Sequence, residues 1–193
     1  MSTNPPPLEH GHFYHIFNRG NNHEIIFPQP RNYDYFMDLW WKHSFTIADT
    51  LAFCLLPNHF HVLIFLKHAE DLAGIELKKP SQYFANFFIA YSRGVNNATG
   101  RRGALFERPF ERKLIKNEHY LMRVIIYIHQ NPQKHKYVKD FRAWKHSSYP
   151  ELINLNETKL NREKVLELFG GKEGFTKYHR DDQPELDLDY GEN

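Results

Sequence analysis

Apolar residues recur every second position in some stretches and every third or fourth in others, and the changes of period divide the chain into elements. Residues 12–17 alternate, with His12, Tyr14 and Ile16 on one face. They read as a first strand, closed by the turn-forming run Asn18-Arg19-Gly20-Asn21-Asn22. In residues 31–43, Tyr33, Phe36, Met37 and Trp40 fall at helical spacing. Residues 45–55 and 56–66 read as two strands joined at Pro57-Asn58 in a tight antiparallel hairpin. Residues 69–79 show no period and read as loop. Pro80-Ser81 opens a helix to about residue 96, with Phe84, Phe87, Phe88 and Tyr91 on its core face. Residues 104–115 read as a further strand, whose Pro109 suits a sheet edge. Asn117 caps a helix over residues 118–130, with Leu121, Val124, Ile125 and Ile128 inward and Asn131-Pro132 as its stop. A short helix follows around residues 161–169.

The order strand, helix, two strands, helix, strand, helix predicts an α+β fold. Its form is a ferredoxin-like antiparallel four- to five-stranded sheet with helices packed on its faces. The expected divisions are a disordered N-terminus at 1–9, one catalytic domain at 10–150, a helical extension at 151–180 and an acidic disordered tail at 181–193.

Charge changes this picture in one respect. The 193 residues carry a formal net charge of +2, but six of the 23 acidic residues lie in 181–193, which has no Lys or Arg. Residues 1–180 therefore hold 25 basic against 17 acidic residues, a net of +8. A basic body with an acidic tail is compatible with a polyanion partner. The single cysteine, Cys54, sits in an apolar run. It excludes a disulfide framework and a cysteine metal site, and it fits a cytoplasmic protein. No basic-then-apolar leader is visible, and no apolar run reaches the roughly 20 residues of a membrane span.

The candidate chemistry begins with His59-Phe60-His61. In a strand both imidazoles point the same way, one pleat apart, as a pair of ligands for a divalent ion or as two half-buried histidines bonded to neighbours. On the helix at 118–130, Tyr120, Arg123, Tyr127 and Asn131 form a stripe distinct from the aliphatic face. Tyr127 and Asn131, one turn apart, either address one site or serve as a rim aromatic and a helix cap. A residue before proline is biased away from helical geometry, which bears on Asn131.

Four segments occur in a telling order: Tyr14-His15-Ile16-Phe17-Asn18-Arg19-Gly20, Leu56-Pro57-Asn58-His59-Phe60-His61-Val62, Tyr127-Ile128-His129-Gln130-Asn131-Pro132 and Trp144-Lys145-His146-Ser147-Ser148-Tyr149. Over roughly residues 10–150 the chain resembles the single-tyrosine HUH transposases, and most of all their REP-associated branch. The resemblance implies an enzyme that cleaves and joins single-stranded or hairpin DNA with a divalent cofactor, Mg²⁺ or Mn²⁺. His59 and His61 match the family's metal pair and Tyr127 its nucleophile. Asn131 stands where relatives place a polar ligand, often the longer glutamine. Family members include dimers and monomers, and both are compatible with this chain.

DNA contacts are expected from Arg101, Arg102, Arg108, Arg112 and Lys113, with Phe106 and Phe110 interleaved as stacking surfaces, from Arg19, and from the run Lys134, His135, Lys136 and Lys139. Three other readings compete. One is a host-maintained endonuclease or binder of repeated hairpins without mobility. Another is a small-molecule metalloenzyme drawing ligands from His12, His15 or His129. The third is a DNA binder without catalysis.

Overall fold

The computed structural model describes residues 5–107, 109–154 and 156–180. Strands β1 (Phe13–Arg19), β2 (Ala48–Leu56), β3 (His59–Leu66) and β4 (Glu111–Ile115) form one antiparallel sheet in the order β2-β3-β1-β4. Helix α1 (Arg31–Ser44) joins β1 to β2, and α2 (Pro80–Thr99) joins β3 to β4. This is the ferredoxin-like βαββαβ arrangement that the element order predicts. After β4 come the α-helices α3 (Glu118–Lys134), α4 (Tyr149–Ile153), α5 (Arg162–Leu168) and α6 (Lys172–Arg180).

The pleat sorts the side chains. Tyr14, Ile16, Phe60, Val62 and Ile64 are buried on the face that meets α1 and α2. There the Phe60 ring lies 4.9 Å from Phe36 and 5.9 Å from Phe88. Each fully buried ring of this kind contributes roughly 1.5–3 kcal/mol. The opposite face carries His15, Phe17, His59 and His61, and α3 lies across it, with the Tyr127 ring 6.3 Å from that of His15. Asn117 caps α3 as expected, accepting from the Tyr120 N–H at 2.8 Å.

Two boundaries differ from the sequence reading. The last strand occupies 111–115 and not 104–115. Phe106 is only 5 % exposed, wedged between Phe60, Phe88 and Tyr91, so this segment runs into the aromatic face of α2 and meets the end of β1 at an isolated bridge to Gly20. Helix α3 does not stop at Asn131-Pro132 but continues to Lys134. Proline in the last turn removes one backbone donor, and the His135 N–H still closes on the Asn131 carbonyl at 3.0 Å.

The tight hairpin at Pro57-Asn58 is tied to the exit of β1: the Gly20 N–H donates to Asn58 O and the Ile26 N–H to Pro57 O, both at 2.8 Å. Gly20 is needed there because a side-chain carbon would collide with the Glu24 carbonyl. At the other end of the chain, the expected acidic tail 181–193 lies outside the described residues. Residues 5–9 belong to the expected N-terminal disordered stretch, yet they have contacts. Leu8 is buried, and the Tyr14 hydroxyl donates to Pro7 O at 3.0 Å.

Residues 144–180 cover the β2 edge and the outer side of α3. The Leu55 N–H donates to His146 O, the Ser148 N–H to Phe53 O, and the Asn161 N–H to Thr50 O, so the β2 edge is not left open. A buried polar chain runs through this region. His179 Nδ1 donates to Phe175 O at 2.7 Å, which leaves Nε2 to accept from His129 Nδ1 at 2.8 Å. His129 Nε2 then accepts from Ser148 Oγ at 2.8 Å, and Ser148 Oγ accepts from the Phe53 N–H at 2.8 Å. Every link has one donor and one acceptor, and the chain joins α6, α3 and β2.

Burial lowers the His179 pKa to about 4 against an ordinary 6.5. The fold therefore favours the neutral ring. That contribution is complete above about pH 6.5 and is lost as pH falls toward about 4. Urea unfolding should accordingly show lower stability near pH 5 than near pH 7, and equal values would contradict it. Ser148→Ala, which leaves the Phe53 N–H and His129 Nε2 without this partner, should destabilise the protein by about 1–3 kcal/mol; a change near zero would show that the chain is not structural.

Candidate active site

β3 begins at His59, directly after the hairpin turn, so strict alternation places His59 and His61 together on the α3 side of the sheet. Their ring centres are 5.3 Å apart. From α3, the Tyr127 ring comes within 5.5 Å of His61, and Asn131 Oδ1 within 3.2 Å of His59 Nε2. Because α3 runs on through Pro132, Asn131 keeps the helical stripe and stays one turn beyond Tyr127. The two histidines, the tyrosine and the asparagine thus meet within one chain. Of the rest of the stripe, Tyr120 is only partly buried and sits two turns before Tyr127.

Burial governs the electrostatics. His61 is 1 % exposed and its pKa is held well below 6.5, by burial first and then by His15, His59 and His135. His15 is lowered to about 3, by burial and then by the Lys113 charge. Both rings are neutral, the form that offers a lone pair. His15 Nε2 lies 3.1 Å from His61 Nδ1, so the contact between them uses the δ side of His61. His59 Nδ1 donates to Asn58 Oδ1 at 2.8 Å, which turns the lone pair of Nε2 toward Asn131.

Whether these residues fit a divalent cation can be judged from Asn131. Its oxygen lies 3.2 Å from His59 Nε2, while its buried Nδ2 has no hydrogen-bond partner among the described residues. The two atoms approach as a hydrogen bond where Nε2 carries the proton and as a pair of ligands where it does not. Adjacent ligands of an octahedral ion stand about 3 Å apart, so the pair fits. Among the described residues no three His, Cys, Asp or Glu side chains converge as a metal set, and Asn131 is the further oxygen donor that faces His59. His129, an alternative ligand in the sequence reading, faces away into the Ser148–His179 chain.

A cavity of about 480 Å³ opens beside the cluster, with Arg19, His23, His59, Lys113, His135 and Tyr137 in its wall. Among the described residues, the three non-glycine residues with left-handed φ are Asn22, His23 and Lys136, and they lie on the two loops that frame it. Such backbone strain concentrates at functional sites.

The predicted DNA contacts divide. Arg19 and Lys113 line the cavity, with Arg19 Nε 2.8 Å from Glu107 Oε1. The Lys134 ammonium lies 5.0 Å from the Tyr127 ring centre. Lys136 and Arg102 are exposed. Arg101 pairs with Glu24, and Arg112 points to the other sheet face and donates to Pro6 O. Arg108 lies outside the described residues. Phe106, expected as an exposed stacking surface, is buried, and Phe110 packs 5.1 Å from Phe88. The sequence reading missed Tyr137; its signal was an aromatic residue inside the basic run that follows α3.

No family model matches the chain. A curated Haemophilus influenzae protein, named provisionally as a REP-associated tyrosine transposase, is 30% identical over 103 residues, 52% of this chain. The alignment spans 58% of that relative's length. Among solved structures, a REP-associated tyrosine transposase bound to a REP hairpin matches with a TM-score of 0.58 at 18% identity, over 79% of this chain and 86% of that one. In motif order and in fold, the chain is thus similar to the tyrosine transposases. Within that class the resemblance is to the REP-associated branch.

Histidine nitrogen spectra test the site's electrostatics. In the metal-free protein His15 and His61 should keep neutral-ring shifts down to about pH 5. A midpoint near 6.5 for either would contradict the burial found here.

Proposed function

We propose that the chain is a metal-dependent enzyme that cleaves and joins single-stranded DNA through a covalent phosphotyrosine intermediate, as in DNA transposition. The observation that carries this reading is the approach of Tyr127 and Asn131 to His61 and His59 beside an open, partly basic cavity in one chain. Hairpin-bearing DNA is the proposed substrate, since the solved relative is bound to a REP hairpin.

In this reading the Tyr127 phenol oxygen attacks the scissile phosphorus. An O–P bond forms to Tyr127, the bond from phosphorus to the 3′ oxygen breaks, the phenol loses its proton and the leaving oxygen gains one. The 5′ phosphotyrosine polarity is what the family resemblance implies. The link conserves the phosphodiester bond energy, so rejoining needs no ATP. His59, His61 and Asn131 would hold Mg²⁺ or Mn²⁺, which when bound draws charge from the phosphate oxygens. Arg19, Lys113 and Lys134 place positive charge where that phosphate would lie. Lys136 and Arg102, both exposed, are proposed as outer backbone contacts, while the contacts expected from Arg101, Arg108 and Arg112 gain no support from the geometry. The set is complete in one chain, so we read it as acting in cis. A second reading keeps this chemistry without mobility, as a host-maintained processor of repeated hairpins; the names of both relatives, which tie them to REP elements, favour it.

Labelled single-stranded hairpin DNA incubated with the protein and Mn²⁺ should give a shifted, protease-sensitive band on a denaturing gel. Tyr127→Phe, His59→Ala and EDTA should each reduce that band by about 1,000-fold or more. Metal-dependent cleavage with no covalent band would instead assign attack to water and remove Tyr127 from the mechanism.

A further inference from the structure

We infer that Tyr137, backed by Trp144, is a stacking platform for one nucleobase of the single strand that leaves the cavity. The inference rests on the reading of that cavity as a DNA site and adds where a base is held.

Tyr137 is 42 % exposed and lines the cavity together with His59 and His135. Its position is fixed from both sides in sequence. Its N–H donates to Pro132 O at 2.9 Å, and Lys136 before it adopts φ 60, which folds the chain back sharply after α3. Behind it stands a column of rings. The Trp144 ring centre is 5.8 Å away at 38°, with its indole N–H donating to Leu55 O at 3.0 Å. Trp144 meets His146 edge-on at 5.8 Å. His146 is stacked on Tyr33 at 3.6 Å and 7°, and Tyr33 on the core residue Phe27 at 4.3 Å and 10°. The outermost ring is therefore rooted in the core, and little side-chain freedom remains to be lost when a flat ligand covers it.

The surroundings select the ligand. Lys136 and Lys145, the sequence neighbours of Tyr137 and Trp144, are exposed, as is Lys134 in the last turn of α3, and the Asp140 carboxylate is already bonded to Arg142 at 2.9 Å. An open aromatic face among cations suits a flat base on an anionic backbone. The arginine-rich segment near β4 offers cations, but its Phe106 is buried and its Phe110 is packed on α2. The stacking function expected there belongs to Tyr137.

The test uses the full chain with EDTA present, so that binding is read without cleavage. Hairpin DNA with a single-stranded extension carries 2-aminopurine at successive positions. One position should be quenched on binding. Tyr137→Ala should lose that quench and bind about tenfold more weakly, and Tyr137→Phe should retain both. Removing the base at that position should weaken the wild-type protein by the same factor and abolish its difference from Tyr137→Ala. Unchanged binding by Tyr137→Ala would overturn the inference, and so would an equal loss on the abasic strand. Base-dependent binding at Tyr137 without a covalent product in the gel would leave the platform and remove the tyrosine chemistry. A covalent product without any effect of Tyr137 would do the reverse.

Discussion

A split βαβ sheet buries one face under its two crossover helices and leaves the other face to be covered by something else. Here α3 covers it, and the candidate site depends on that contact. The covered face is not uniformly apolar: it presents His15, His59 and His61 in alternating positions of β1 and β3. Tyr127 and Asn131 supply the opposing groups from successive turns of α3. Sheet and helix hold polar groups of each other out of water, and the same burial that stabilises the interface keeps His15 and His61 neutral.

Such an interface tolerates little slippage. A shift of α3 by one residue would turn Tyr127 away from His61 and carry Asn131 off His59. The Ser148–His129–His179 chain locks that register from the far side, since His129 lies on α3 between the two site residues and is bonded at both ring nitrogens. The segments after α3 are therefore part of what positions the site, although they supply none of the side chains proposed to react. Asn131 shows what the arrangement leaves unbalanced: its amide nitrogen is buried and without a hydrogen-bond partner among the described residues.

The parts of the site that obey local periodicity were legible in the sequence. Period two put His59 and His61 on one face, and spacing of four put Tyr127 and Asn131 on one stripe. Where non-local packing decides, the local signal pointed elsewhere. Phe106 alternates like a strand residue, but the aromatic face of α2 draws it inward. Pro132 reads as a helix stop, yet the helix needed to give up only one donor in its last turn to continue. His129 offered no sign of its partner, because His179 is fifty residues away in sequence. Tyr137 was hidden for a related reason: its exposure depends on a ring column assembled from α1, the segment at residues 144–146 that covers the β2 edge and the turn after α3.

The central claim is that α3 delivers Tyr127, and no other hydroxyl, to the histidine pair. Mass spectrometry of the protease-digested DNA–protein product tests it most directly. The account predicts a nucleotide adduct on the peptide containing Tyr127, with fragment ions placing it on that residue. An adduct on Tyr120 or Tyr137 would contradict the geometry from which the account is built.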